Sequence, residues 1–261
     1  MDIRYYHVNA FASEPFRGNP AGVCCLTEWI DEDLMRKIAR ENALPETAFV
    51  VPQGPGRAGL RWFTPEIEMD LCGHATLATA YVMSLLDASV REIVFDSAGG
   101  ELRAGVEGGL VTLRLPRREP VAAQAPGALL AAVGVRPVAV YKSRDYIFRY
   151  GSEAEIRNIS VDVSALDSVD LGPGGLCVTA AGTGCDFVSR FFCPRSAILE
   201  DPVTGSAHCS LVPLWAGLLD KRELVARQLS ERGGELLCAD GADHVLIAGR
   251  AVVYTAGVLT V

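Results

Sequence analysis

The chain has 261 residues, 49% of them hydrophobic and 21% charged, a balance that describes a folded globular protein and excludes a disordered one. A formal net charge of −8 without any basic stripe excludes nucleic acid or an anionic membrane surface as a general partner. The eight cysteines show no CxxC or paired metal spacing, so they read as small buried residues of a reducing cytoplasm, with no metal site expected.

The opening MDIRYYHVNAF carries charges where a signal peptide needs an apolar core, and the expected location is cytoplasmic. Alternation predicts a strand over Ile3–Phe11. A Gly-Asn-Pro turn in FRGNPAGV leads to a second strand, Ala21–Leu26. An amphipathic helix follows, N-capped by Asp31 and halted after Leu44 by Pro45, with Leu34, Ile38 and Ala39 on one face. Glu46 comes next, ahead of a strand over Thr47–Val51.

Strands are predicted at Leu60–Phe63, Ile93–Asp96, Glu101–Val106 and Leu110–Leu115, the last three joined by hairpin turns at Gly99-Gly100 and Gly108-Gly109. Between them lies Leu71–Leu86, without a single fixed charge and apolar on nearly every face, a pattern that belongs at the centre of a domain. Residues 117–127, rich in Pro and Ala, read as a linker. Strands at Val138–Tyr141 and Tyr146–Tyr150 follow, then a short helical region through Ile156 and Leu166, and strands at Leu176–Ala180 and Phe187–Phe192. A second uncharged run occupies Pro202–Leu219, with Pro213 expected to kink it. Strands at Glu235–Cys238, His244–Ala248 and Val252–Val261 complete the prediction, and tight turns favour antiparallel pairing. Both uncharged runs approach the length of a membrane span, yet each holds His, Ser or Pro, and buried core helices are the expectation.

The two halves echo each other. Arg61-Trp62-Phe63-Thr64-Pro65 returns as Arg190-Phe191-Phe192-Cys193-Pro194, and Cys72-Gly73-His74 as Thr204-Gly205-Ser206, each about half a chain later. Duplication of one unit is the economical reading. It predicts a domain over 1–116, the linker 117–127, and a second domain over 128–249.

A helix that begins at glycine presents unpaired backbone N–H groups and the positive end of its dipole, a ready seat for an anion. The Gly73-His74 and Gly205-Ser206 amides are therefore candidates to hold a substrate carboxylate or an enolate oxygen. Asp70, Asp201 and His208 lie close by in sequence, and Glu46 in apolar company suits a carbon base. Cys72 at a helix start invites a Cys-His dyad, but neighbours on a helix point about 100° apart, so packing or N-capping is the preferred role.

In order along the chain, FRGNPAGV, LPETAFV, FTPEIEMDLCGHATLA, EDPVTGSAH and QLSERGG resemble the PhzF-like proteins of phenazine biosynthesis, which share the diaminopimelate epimerase fold. The resemblance implies an α+β fold of two pseudo-symmetric domains, each an antiparallel curled sheet around a central helix, with a cleft between them and the last strand, 250–261, completing the first domain. It implies a cofactor-independent isomerase, commonly homodimeric, acting on a small carboxylate-bearing metabolite. Glu46, His74 and Asp201 match catalytic positions; Asn19, Cys72, Gly73, Gly205 and Ser206 are expected to bind substrate. Diaminopimelate epimerases use two cysteines, and here the second position is Thr204, so a two-thiol racemase is not expected. The alternatives are a non-catalytic binding protein of the same fold and, behind it, a Cys72-dependent hydrolase.

Overall fold

Apolar alternation near the start becomes strand β1 (Asp2–Ala10), which folds back on β2 (Asn19–Cys25) in an antiparallel hairpin. The turn needs Gly18. Its φ of +67° suits glycine, and a Cβ there would lie 2.1 Å from the Ala10 carbonyl oxygen. This computed structural model describes residues 1–194 and 198–261. Helix α1 (Glu32–Asn42) is capped by Asp31, whose side chain accepts from the Asp33 N–H, and it buries Met35, Ile38 and Ala39 against Ile3, Cys24, Phe49 and Phe63. It stops at Asn42, before Pro45, because Ala43 adopts the left-handed conformation (φ 50°).

Strands β3 (Glu46–Gly54), β4 (Arg57–Phe63) and β5 (Glu68–Met69) lead to helix α2 (Gly73–Leu86), followed by β6 (Glu92–Ser97), β7 (Gly100–Glu107) and β8 (Leu110–Pro116). Helix α2 packs on β1, β2, β3 and β7, with Gly73 through Ala80 all buried, as its lack of charge requires. These elements form one unit, Met1–Leu115 with Leu246–Val261.

The second unit, Pro116–Val245, opens with β9 (Val121–Ala122) and α3 (Gly127–Val133), so the expected linker is partly built into structure: β9 pairs with β10 (Ala139–Lys142). Next come β11 (Tyr146–Arg149), α4 (Glu153–Asn158), α5 (Val163–Asp167), β12 (Leu176–Ala181), β13 (Phe187–Phe192) and β14 (Glu200–Asp201). Helix α6 (Gly205–Leu219), β15 (Glu223–Gln228) and β16 (Gly234–Asp240) follow. The two strands expected near the end are one continuous strand, β17 (His244–Thr260), which pairs antiparallel with β1.

Antiparallel hairpins dominate, but β2 with β3, β4 with β6, β11 with β12 and β13 with β15 run parallel. In each case helical segments lie between the partners, and a parallel pair needs such a crossover. Tight turns govern only the strands they join.

Pro213 sits inside α6 and has no N–H for the Cys209 carbonyl. The backbone N–H of Arg118 takes its place at 3.0 Å. Among the described residues no helix is long and apolar enough to cross a membrane.

Candidate active site

The repeat is exact enough at the helix starts to compare atom by atom. Arg61 gives Nε and Nη2 to the two Glu68 carboxylate oxygens at 2.7 and 2.6 Å and lies 5.1 Å from the Phe63 ring centre. Arg190 does the same to Glu200, at 2.7 and 2.8 Å, and lies 5.0 Å from the Phe192 ring. These forks pin β5 to β4 and β14 to β13, and so aim the chain into α2 and α6. Register makes Met69, opposite Trp62, the counterpart of Asp201, opposite Phe191. Asp70 is exposed and stands outside the repeat.

Each helix begins at the expected glycine, after an extended N-cap: Cys72 at φ −137° and ψ 104°, Thr204 at φ −109° and ψ 92°. The Thr204 side chain makes no capping hydrogen bond to α6, and the Cys72 side chain makes only thiol contacts, with His74 and the Ala75 N–H of α2. The N–H groups at the two glycines are thus not consumed by side-chain capping.

In the first unit, two neighbouring strand starts and the α2 start bring four predicted residues together. Glu46 opens β3 beside Ala21 of β2, two residues past Asn19. His74 Nε2 lies 3.2 Å from Glu46 Oε2, and its Nδ1 lies 3.1 Å from Asn19 Nδ2 and 3.6 Å from Cys72 Sγ. The side chain of His74 is 6% exposed and that of Glu46 16%. Direct contact between Cys72 and His74 corrects the sequence expectation. The 100° rule holds within a helix, and Cys72 is still extended backbone.

Asn19 Nδ2 beside Nδ1 and Glu46 Oε2 beside Nε2 together suit the tautomer that carries its proton on Nε2. Burial alone would depress the His74 pKa, but Cys72 and the Glu46 carboxylate outweigh it and hold it well above the ordinary histidine value. Burial and the Glu46 carboxylate push the Cys72 thiol up, against a smaller lowering by His74. A nucleophilic cysteine needs the reverse.

In the second unit the helix start is built differently. Thr204 Oγ1 donates to Asp201 Oδ2 at 2.6 Å. Gln228, at the end of β15, accepts from the Thr204 N–H at 2.8 Å and donates through Nε2 to the Asp201 carbonyl at 2.7 Å and to Thr204 Oγ1 at 3.0 Å. Gln228 lay in the QLSERGG motif without an assigned role. The signal was its phase: Leu224, Ala226 and Gln228 alternate onto one buried face, and a glutamine there must be hydrogen-bonded. Gly205 is buried and Ser206 half-buried at the α6 start.

His208 does not join Asp201 and Ser206. It is fully buried, its Nδ1–H donates to the Thr204 carbonyl at 2.8 Å, and its ring lies 5.8 Å from that of Phe187, itself stacked on Trp215. Burial brings its pKa down to about 4, against a small opposing contribution from the Thr204 carbonyl.

The family model described as phenazine biosynthesis-like protein (PhzC-PhzF) matches residues 8–257. An uncharacterized isomerase of Pseudomonas aeruginosa is 43% identical over 263 residues, covering 99% of this chain and 99% of its own. A crystal structure of a phenazine biosynthesis protein of the PhzF family from Enterococcus faecalis, 43% identical, matches with a TM-score of 0.95 over 100% of both chains. A hydroxyproline epimerase from Agrobacterium vitis, 9% identical, matches with a TM-score of 0.62 over 99% of this chain and 92% of its own, a likeness of fold alone.

Proposed function

We propose, from the premise that this chain belongs to the phenazine biosynthesis-like PhzC-PhzF family with its epimerase-like fold, that it moves a proton between carbons of a small carboxylate-bearing metabolite. It is an isomerase of the PhzF and epimerase type. The observation that carries the finer reading is the line Asn19–His74–Glu46, in which a buried imidazole holds one carboxylate oxygen of a half-buried glutamate.

Glu46 takes the proton from one carbon of the substrate. The C–H electron pair moves into the adjacent π system toward the substrate carboxylate, and Glu46 returns the proton to another carbon. Nothing is oxidised and no proton is lost, so the chemistry runs without a cofactor. Tethering by His74 limits the carboxylate's rotation, which favours return over escape to water. The amides of Gly73 and His74 in one unit, and of Gly205 and Ser206 in the other, are seats for negative charge. Asp201, aligned by Thr204 and Gln228, accepts hydrogen bonds from substrate. Burial of Cys72 argues against the hydrolase alternative.

Proton exchange in deuterium oxide tests this reading. Small cyclic and amino carboxylic acids are followed by NMR with wild type and Glu46→Gln side by side. Deuterium should enter a carbon position with wild type alone; equal exchange by both proteins removes Glu46 from the chemistry, and binding without exchange by either favours the ligand-binding alternative.

A further inference from the structure

The Glu46, Cys72 and His74 side chains gather a carboxylate, a thiol and an imidazole at one point in the first unit. One ligand atom from each lies within 4.8 Å of the other two. Hydrogen bonding accounts for the Glu46–His74 pair, but it does not require a thiol as the third member. We propose that this cluster binds a thiophilic divalent cation of the zinc class.

The geometry is close to that of a zinc site. Ligands on a tetrahedral zinc, with Zn–S near 2.3 Å and Zn–N near 2.0 Å, stand about 3.5 Å apart. Cys72 Sγ and His74 Nδ1 are already 3.6 Å apart. Glu46 has the most freedom of the three, being the most exposed, and it brings a carboxylate oxygen by turning away from Nε2. Three protein ligands leave the fourth position for water, the pattern of an open zinc site. The positive end of α2 opposes a cation, and the negative charges of the Glu46 carboxylate and a zinc-bound Cys72 thiolate offset it. Binding releases the thiol proton to solvent. Coordination through Nδ1 requires Asn19 to give up its contact with the ring.

The second unit has Thr204 where the first has Cys72, and Ser206 where it has His74. Hard oxygen donors do not make an equivalent site for a soft cation. The inference therefore assigns one ion per chain. It stands apart from the isomerase reading, because binding is read without any substrate.

Cobalt(II) titration of the full-length protein, with zinc added as competitor, is the first experiment. Wild type should take up one equivalent, with a thiolate-to-cobalt charge-transfer band and tetrahedral d–d bands, both abolished by zinc. Cys72→Ser should lose the charge-transfer band, and Glu46→Gln and His74→Gln should each weaken binding at least ~10-fold. A band that survives in Cys72→Ser places the metal on the half-exposed thiols Cys25, Cys185 or Cys193 and overturns the proposal. So does the absence of any band in wild type. Because Cys72→Ser could fail to fold, X-ray absorption on zinc-loaded wild type provides a second reading. One sulfur near 2.3 Å with nitrogen or oxygen neighbours is expected, and a shell of light atoms alone refutes the site.

Discussion

Two strand starts make the sharpest comparison between the halves. Thr47 of β3 pairs with Phe63, and Leu176 of β12 pairs with Phe192, so the residue before each strand partner is Glu46 in one unit and Gly175 in the other. The surroundings decide which can carry a side chain. A Cβ on Gly175 would lie 2.5 Å from Phe191 Cζ and 2.8 Å from the Phe192 carbonyl oxygen. The Gly175 N–H also donates to buried Asp145 at 2.9 Å. The second unit has filled with aromatic ring the space in which the first presents a carboxylate.

The same divergence recurs on the helices. Thr76 Oγ1 bonds the Cys72 carbonyl at 2.5 Å, and His208 Nδ1 bonds the Thr204 carbonyl at 2.8 Å, one turn into α2 and α6 respectively. Histidine lies against the Glu46 carboxylate in one unit and stitches a helix turn in the other. Duplicated scaffolds hold the fork, the glycine and the extended cap constant, and let chemistry differ at single residues.

The largest expected effect falls on the position that differs most. Glu46→Gln should reduce carbon-proton exchange at least ~1000-fold while ligand affinity, measured by calorimetry, stays within a few-fold. An active Glu46→Gln protein would erase the functional difference between the two strand starts. Gly175→Ala should cost about 3 kcal/mol in urea unfolding, whereas Glu46→Ala should cost less than about 1 kcal/mol. Equal costs would mean that the second unit does have room.

The histidines can be separated by pH. His208 is neutral in the fold and its pKa there, about 4, lies below the unfolded value, so the unfolded chain binds the extra proton. Stability is then present above the unfolded pKa and falls as pH drops from about 6.5 toward 4, by about 3 kcal/mol. His208→Gln should flatten that part of the stability profile, and an unchanged slope would show that His208 is not its source. The smallest contrast is between the forks. Arg190 also donates to the carbonyls of Ile156 and Ile159, both buried residues, whereas the extra partner of Arg61 is the exposed Glu32 carboxylate, so Arg190→Lys should cost about 1 kcal/mol more than Arg61→Lys in chemical denaturation.

The sequence carried the helix starts plainly, because an uncharged run behind a glycine leaves few other solutions, and the repeated Arg-aromatic-aromatic motif exposed the duplication. It also marked Glu46, Asn19 and His74. What it hid depended on backbone angles and on distance along the chain. Cys72 meets His74 only because the N-cap is extended, which spacing does not reveal. Met69 rather than Asp70 answers to Asp201 because strand register, not proximity to glycine, sets the correspondence. Strand β15 is harder to read because its buried face holds only Leu224, Ala226 and the polar Gln228, while Glu223 and Arg227 alternate onto the exposed face. His208 lies near the second glycine in sequence, but its complete burial and its bond to the Thr204 carbonyl give it a structural place that spacing does not show.

Strand β17 has a consequence for the order in which the molecule can assemble. The unit Pro116–Val245 is one unbroken stretch of chain, whereas β1 must wait for a partner made about 240 residues later. On the ribosome the second unit can close on its own, while the first stands as a sheet with a missing stave and an open edge. The residues that carry Glu46 and His74 are synthesised early and completed late, so this fold sets its proposed chemical half in place after its quieter twin.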